Sequence, residues 1–106
     1  MPVELCGATG PKADLVNGTY TSTEERINGM IVYLKLGDAS TCLYFAADKS
    51  WWVTYSENAK AGQMKGFAHT EIGLSHPTLA KKWEVRVGEE WQLQSVVASV
   101  MVSTHI

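Results

Sequence analysis

Polar and apolar positions alternate most clearly in Lys82-Trp83-Glu84-Val85-Arg86-Val87, with Trp83, Val85 and Val87 on one face and Lys82, Glu84 and Arg86 on the other. A period of two predicts a strand with one buried and one wet face. After Gly88-Glu89-Glu90 the run Trp91-Gln92-Leu93-Gln94 repeats the scheme, so the two form a terminal hairpin. The tail from Val96 to Val102 is β-prone enough to extend that hairpin or add a strand.

Nearer the start, Thr19-Tyr20-Thr21-Ser22-Thr23 and Met30-Ile31-Val32-Tyr33-Leu34 flank Asn28-Gly29. Asn-Gly between β-prone runs is the strongest short hairpin signal, because both residues tolerate the positive φ of a type I′ turn. Gly37-Asp38 leads to Thr41-Cys42-Leu43-Tyr44-Phe45-Ala46, and Asp48-Lys49-Ser50 reverses the chain into Trp51-Trp52-Val53-Thr54-Tyr55. Short turns join antiparallel neighbours, so residues 18–55 form a four-strand meander. Residues 1–16 read as an arm with a short strand at Val3-Glu4-Leu5-Cys6, punctuated by Gly7, Gly10 and Pro11. Residues 56–81 read as loop-rich: a polar loop from Ser56 to Lys65, a short strand at Gly66-Phe67-Ala68-His69-Thr70, and a stretch broken by Pro77. Thr78-Leu79-Ala80-Lys81 is the one credible helical turn.

The chain is therefore expected to be mainly β: one domain over 1–106, an antiparallel meander of about six to eight strands. The sheet is a small barrel or curved, with at most one short helical turn. Trp51-x-Val53, Trp83-x-Val85 and Trp91-x-Leu93 each set a Trp and an aliphatic on the same strand face, a shared packing logic without a regular repeat. Trp51 and Trp52 must point to opposite sides of their strand. Both are buried only if the sheet is covered on two faces or closed.

At 106 residues the chain is long enough to bury one core without staples, and 45% hydrophobic with 19% charged residues is an ordinary globular balance. A net charge of −2 with scattered Lys and Arg argues against nucleic acid as a partner. No apolar stretch is long enough to span a bilayer, and Met1-Pro2-Val3-Glu4-Leu5 has neither a basic n-region nor an apolar h-region. A soluble, cytoplasmic protein with no membrane association is expected, and in that setting Cys6 and Cys42 are expected to be reduced thiols rather than a disulfide.

The landmarks Gly7-Ala8-Thr9-Gly10, Val16-Asn17-Gly18-Thr19-Tyr20, Asn28-Gly29 with Val32-Tyr33, Leu43-Tyr44 with Trp51-Trp52-Val53, and His76-Pro77 before Trp83-Glu84-Val85 cover most of the chain. In this pattern it resembles small Gly/Trp/Tyr-patterned β modules of protist and algal multidomain proteins. The resemblance implies a β-rich module and no particular activity, since Gly, Trp and Tyr at turn and core positions specify fold rather than chemistry.

Candidate chemistry is sparse. His69 and His76 flank Glu71 without a short ligand spacing, and neither Cys stands in a C-x-x-C pair, so no metal site and no cofactor is expected. No nucleophile elbow is present, and Cys42 lies in an apolar strand, so no catalytic residue is assigned. Gly7-Ala8-Thr9-Gly10-Pro11-Lys12 lacks the length of a phosphate loop and the helix that follows one. Glu24-Glu25 and Glu89-Glu90 border turns and read as solvated charge.

Four Trp and four Tyr rise above that background. They suggest a non-catalytic binding or scaffold module recognising a peptide, glycan or protein, with Trp52, Tyr55, His69 and His76 as the candidate binding residues. In that reading the loops Ser56–Lys65 and Thr70–Ala80 form one rim. The alternatives are a small hydrolase or metal-dependent enzyme using His69, His76 and Glu71, and a homodimer pairing through the edge of the tail strand.

Overall fold

The computed structural model describes residues 2–100. Met101 and Val102 of the expected tail strand, and His105, lie outside them. The described chain is mainly β, with nine antiparallel strands in one curled, half-barrel sheet. These are β1 (Val3–Cys6), β2 (Gly18–Ile27), β3 (Met30–Lys35), β4 (Asp38–Phe45), β5 (Trp51–Tyr55), β6 (Ala68–Thr70), β7 (Trp83–Val87), β8 (Glu90–Gln94) and β9 (Val97–Val100).

The strand order is β8-β7-β6-β5-β4-β3-β2-β1-β9, a meander in which only β9 breaks sequence by pairing with β1. Each turn forms for a local reason. Asn28 and Gly29 hold φ of 53° and 85° between β2 and β3, as a type I′ turn requires. Lys49 takes φ 68° between β4 and β5, where Asp48 accepts from the Ser50 backbone N–H and hydroxyl.

Strands β8 and β9 stand at opposite ends of this order, yet only Ser95 and Val96 separate them in the chain. The two ends of the sheet therefore meet, and a covalent link completes the curl. The Gln94 side chain seals this seam by accepting from the Thr9 N–H at 2.8 Å and donating to its carbonyl at 3.1 Å.

Alternation along the strands divides the core in two. Inside the curl lie Val3, Leu5, Tyr20, Tyr33, Leu43, Phe45, Trp51, Val53, Trp83 and Val85. On the outer face lie Val32, Cys42, Tyr44, Ala46, Trp52 and Ala59. Trp51 and Trp52 are both buried, at 1% and 7% exposure, because the sheet is curled on one side and covered on the other. Trp51-x-Val53 and Trp83-x-Val85 share the interior, but Trp91 packs on the outer cluster and Leu93 is exposed. The third Trp motif thus follows the same local spacing with the opposite orientation.

The outer cover is a helix that short-range pattern did not predict: α2, Ser56–Lys60, inside the expected loop, with Ala59 buried against the sheet. A second helical turn, α1 (Ala13–Val16), lies in the expected arm and immediately follows the glycine segment 7–12. Neither has a side-chain N-cap, and each is far below the length at which a helix is stable alone. Tertiary contacts hold them. The buried Tyr20 hydroxyl donates to the Val16 carbonyl at 2.7 Å, and the Lys35 ammonium donates to that of Leu15 at 3.1 Å. The turn expected at Thr78–Lys81 is a 3₁₀ turn one residue earlier, Pro77–Leu79. Pro77 pre-sets its first φ, and the His76 ring caps it by accepting from the Thr78 N–H.

Candidate functional site

Since β5 and β6 run antiparallel, the segment after β5 and the segment after β6 leave from opposite ends of the sheet. Residues 56–65 lie at the Tyr55 end. Residues 71–80 lie at the Trp51 end, where Gly73 N–H donates to the Lys49 carbonyl and Trp51 Nε1–H to that of Leu74. The two loops do not form one rim, contrary to the sequence expectation.

The four expected binding residues are distributed accordingly. Trp52 and His69 are directly paired across β5 and β6, with their rings stacked 4.7 Å apart. Trp91 meets both edge-on, at 5.5 Å and 4.5 Å. These rings cover one another, and the 7% exposure of Trp52 leaves no platform for a ligand. His69 Nδ1–H donates to the Thr70 carbonyl at 3.1 Å.

His76 sits on the other face of the sheet, against Trp51 and Tyr33. Its Nδ1 accepts from the Thr78 amide, so the neutral ring carries its proton on Nε2, 3.2 Å from the Tyr33 hydroxyl oxygen. Burial holds its pKa below the usual histidine value. His69 and His76 therefore do not converge. Glu71, the third member of the enzyme alternative, accepts from the backbone N–H groups of Lys81 and Lys82. Among the described residues no group of three or more His, Cys, Asp or Glu is placed to hold a metal ion. Cys6 is exposed, whereas Cys42 is buried, which pushes its thiol up to about 11 and away from nucleophilic reactivity. β9 pairs with β1 along one edge and ends the strand order, so its other edge has no strand partner among the described residues, and the 3₁₀ turn packs beside it.

Tyr55 stands apart, 41% exposed at the end of β5. Its ring meets Phe67 edge-on at 4.9 Å and borders a cleft of about 440 Å³. Phe67 is placed by Gly66, where any Cβ would stand 2.4 Å from the Val53 carbonyl oxygen, so only glycine lets this segment lie against β5. The same cleft is lined by Lys12 from the turn before α1, Asn58 of α2, Lys65, and Arg86 of β7. The Lys12 ammonium lies 5.6 Å from the Phe67 ring centroid, a cation–π contact that holds it at the rim. On its other side Tyr55 borders a second depression with Ser40, Ser56 and Glu57, so the ring forms a ridge between two hollows.

Of the cleft residues, sequence reasoning found Tyr55 alone. Lys12, Lys65, Phe67 and Arg86 come from four separate segments, and no local spacing links them. For Trp91 the alternation gives a period, with Leu93 on the same strand face, but not a side.

The described residues thus form a curled antiparallel sheet that leaves Tyr55 exposed beside Lys12, Lys65 and Arg86. The chain matches no family model, no curated protein and no solved structure among those compared with it.

No helix among the described residues is long and apolar enough to cross a membrane.

Proposed function

We propose that the chain is a non-catalytic recognition module and that it seats a peptide segment of a partner protein in the cleft beside Tyr55. The observation that carries this reading is the exposure of Tyr55 on a buried Phe67 at the edge of a cavity of side-chain size. A tyrosine costs little entropy to immobilise and offers both an apolar ring and a hydroxyl, which is why such residues anchor interfaces. His69, His76 and Trp52 are engaged in ring packing, and His69 and His76 do not converge, which favours recognition over the catalytic alternative built on them.

Screening the purified chain against a peptide array, followed by calorimetry on the hits, tests the reading. Tyr55→Ala is expected to weaken a hit about thirtyfold, the cost of truncating an interface anchor. Silence across the array, or undiminished affinity in the variant, overturns it.

A further inference from the structure

We infer that the segment taken by this cleft is acidic, with carboxylates flanking an apolar side chain; the inference rests on the Tyr55 reading and specifies its ligand. Lys12, Lys65 and Arg86 line the cleft with Tyr55, Asn58 and Phe67, and no Asp or Glu is among the lining residues. The chain as a whole has more acids than bases, 11 against 9, so this cationic local balance is not a reflection of composition.

The cations are also arranged. Phe67 holds the Lys12 ammonium over its ring, while Arg86 Nε donates to the Gly88 carbonyl at 3.1 Å and its guanidinium lies over the Trp91 ring, 5.7 Å from the centroid. These contacts steady the group, and the bond to Gly88 uses Nε rather than the terminal N–H groups that suit a carboxylate. The rings of Tyr55 and Phe67 supply the apolar floor between the charges.

A second cleft, on the outer face beside His69, shows the opposite balance. Asp48, Glu71 and Glu84 line it with Lys82, so an anion is repelled there and drawn to the Tyr55 end. Three cations around a cavity of about 440 Å³ suit one apolar side chain with neighbouring carboxylates. A polynucleotide needs a continuous cationic track, and Glu57 interrupts one on the far side of Tyr55.

The test uses calorimetry with four probes: a short peptide of glutamates flanking one phenylalanine, its glutamine counterpart, its lysine counterpart, and an oligothymidylate. The glutamate peptide is expected to bind at least about tenfold more tightly than the glutamine one and to weaken as salt rises. Lys12→Glu combined with Lys65→Glu is expected to lose about tenfold, and Lys82→Glu, in the acidic cleft, nothing. Lys12→Gln, the milder change, is expected to show a smaller loss of the same sign in a chain whose melting temperature is unaltered.

Equal binding of the glutamate and glutamine peptides, lost from both in Tyr55→Ala, overturns the acidic specificity and leaves the peptide reading standing. Preference for the lysine peptide, or tighter binding of the oligothymidylate, overturns the inference in favour of a different ligand class. If no peptide binds, both readings fall.

Discussion

Trp51, Trp52 and Trp83 are all buried, but their indole N–H groups meet different fates. Trp51 Nε1–H donates to the Leu74 carbonyl and Trp52 Nε1–H to the Ser50 hydroxyl at 2.7 Å. Trp83 Nε1 is the one buried side-chain polar atom without a partner among the described residues. His76 is a half-buried polar group whose bonds depend on its protonation. Its Nδ1 accepts from Thr78, so a proton there removes an acceptor and charges a ring packed on Trp51. The folded state lowers this pKa, so it favours the neutral ring. The resulting stability is fully present above the ordinary value of 6.5 and is lost as pH falls through that value toward the lower folded one. Thermal melts from pH 7.5 down to about 5 are expected to show a falling midpoint. In His76→Gln, which keeps an acceptor but cannot titrate, that portion of the slope should disappear; an unchanged slope would sink the assignment.

At the scale of elements, strands and helices differ in where their stability originates. The β2–β3 and β7–β8 hairpins follow from turn chemistry and alternation within a few residues, and both were readable in the chain. Helix α2 has five residues and no side-chain cap, and tertiary contacts hold it: Ala59 meets the outer cluster beside Cys42, the Ser56 hydroxyl donates to the Ala39 carbonyl, and the Asn58 amide donates to the Thr54 hydroxyl. Ala59→Asp places a carboxylate in that apolar contact, at a cost on the order of 3 kcal/mol. The helix is expected to lift from the sheet and expose Cys42. A thiol reagent that labels only exposed Cys6 in the parent should then label two cysteines in the variant, and labelling of one alone would show that α2 stays docked. The expected loop at 56–65 and arm at 1–16 concealed helical turns for the same reason. Four or five residues carry no readable period, and their partners lie in distant strands.

For the whole molecule the decisive feature is closure of the curl. The seam brings Gly7 against the link between β8 and β9, so a Cβ at Gly7 would stand 2.5 Å from the Ser95 carbonyl oxygen, and its φ of 96° is one that L side chains rarely adopt. Gly7→Ala is expected to cost about 2 kcal/mol or more. That should appear as a lower urea midpoint with an unchanged m-value if the sheet still closes, and a reduced m-value would mean that the seam opens in the native state. Closure is also what joins the cleft: Lys12, Tyr55, Lys65 and Arg86 meet only when α1, β5, the segment before β6, and β7 take their places around one end of the sheet.

By itself the sequence determined the strands, the Asn28-Gly29 turn, the meander of residues 18–55, and the requirement that Trp51 and Trp52 face opposite ways, because each rests on spacing within a strand or turn. The tertiary structure alone decided that both faces are covered, that Trp91 lies outside while Trp83 lies inside, that His69 and His76 are separated by the sheet, and that Tyr55 keeps company with three cations. Alternation sets the period of a strand but not which side becomes the interior. Curvature decides the side, and it arises from pairings as distant as β1 with β9.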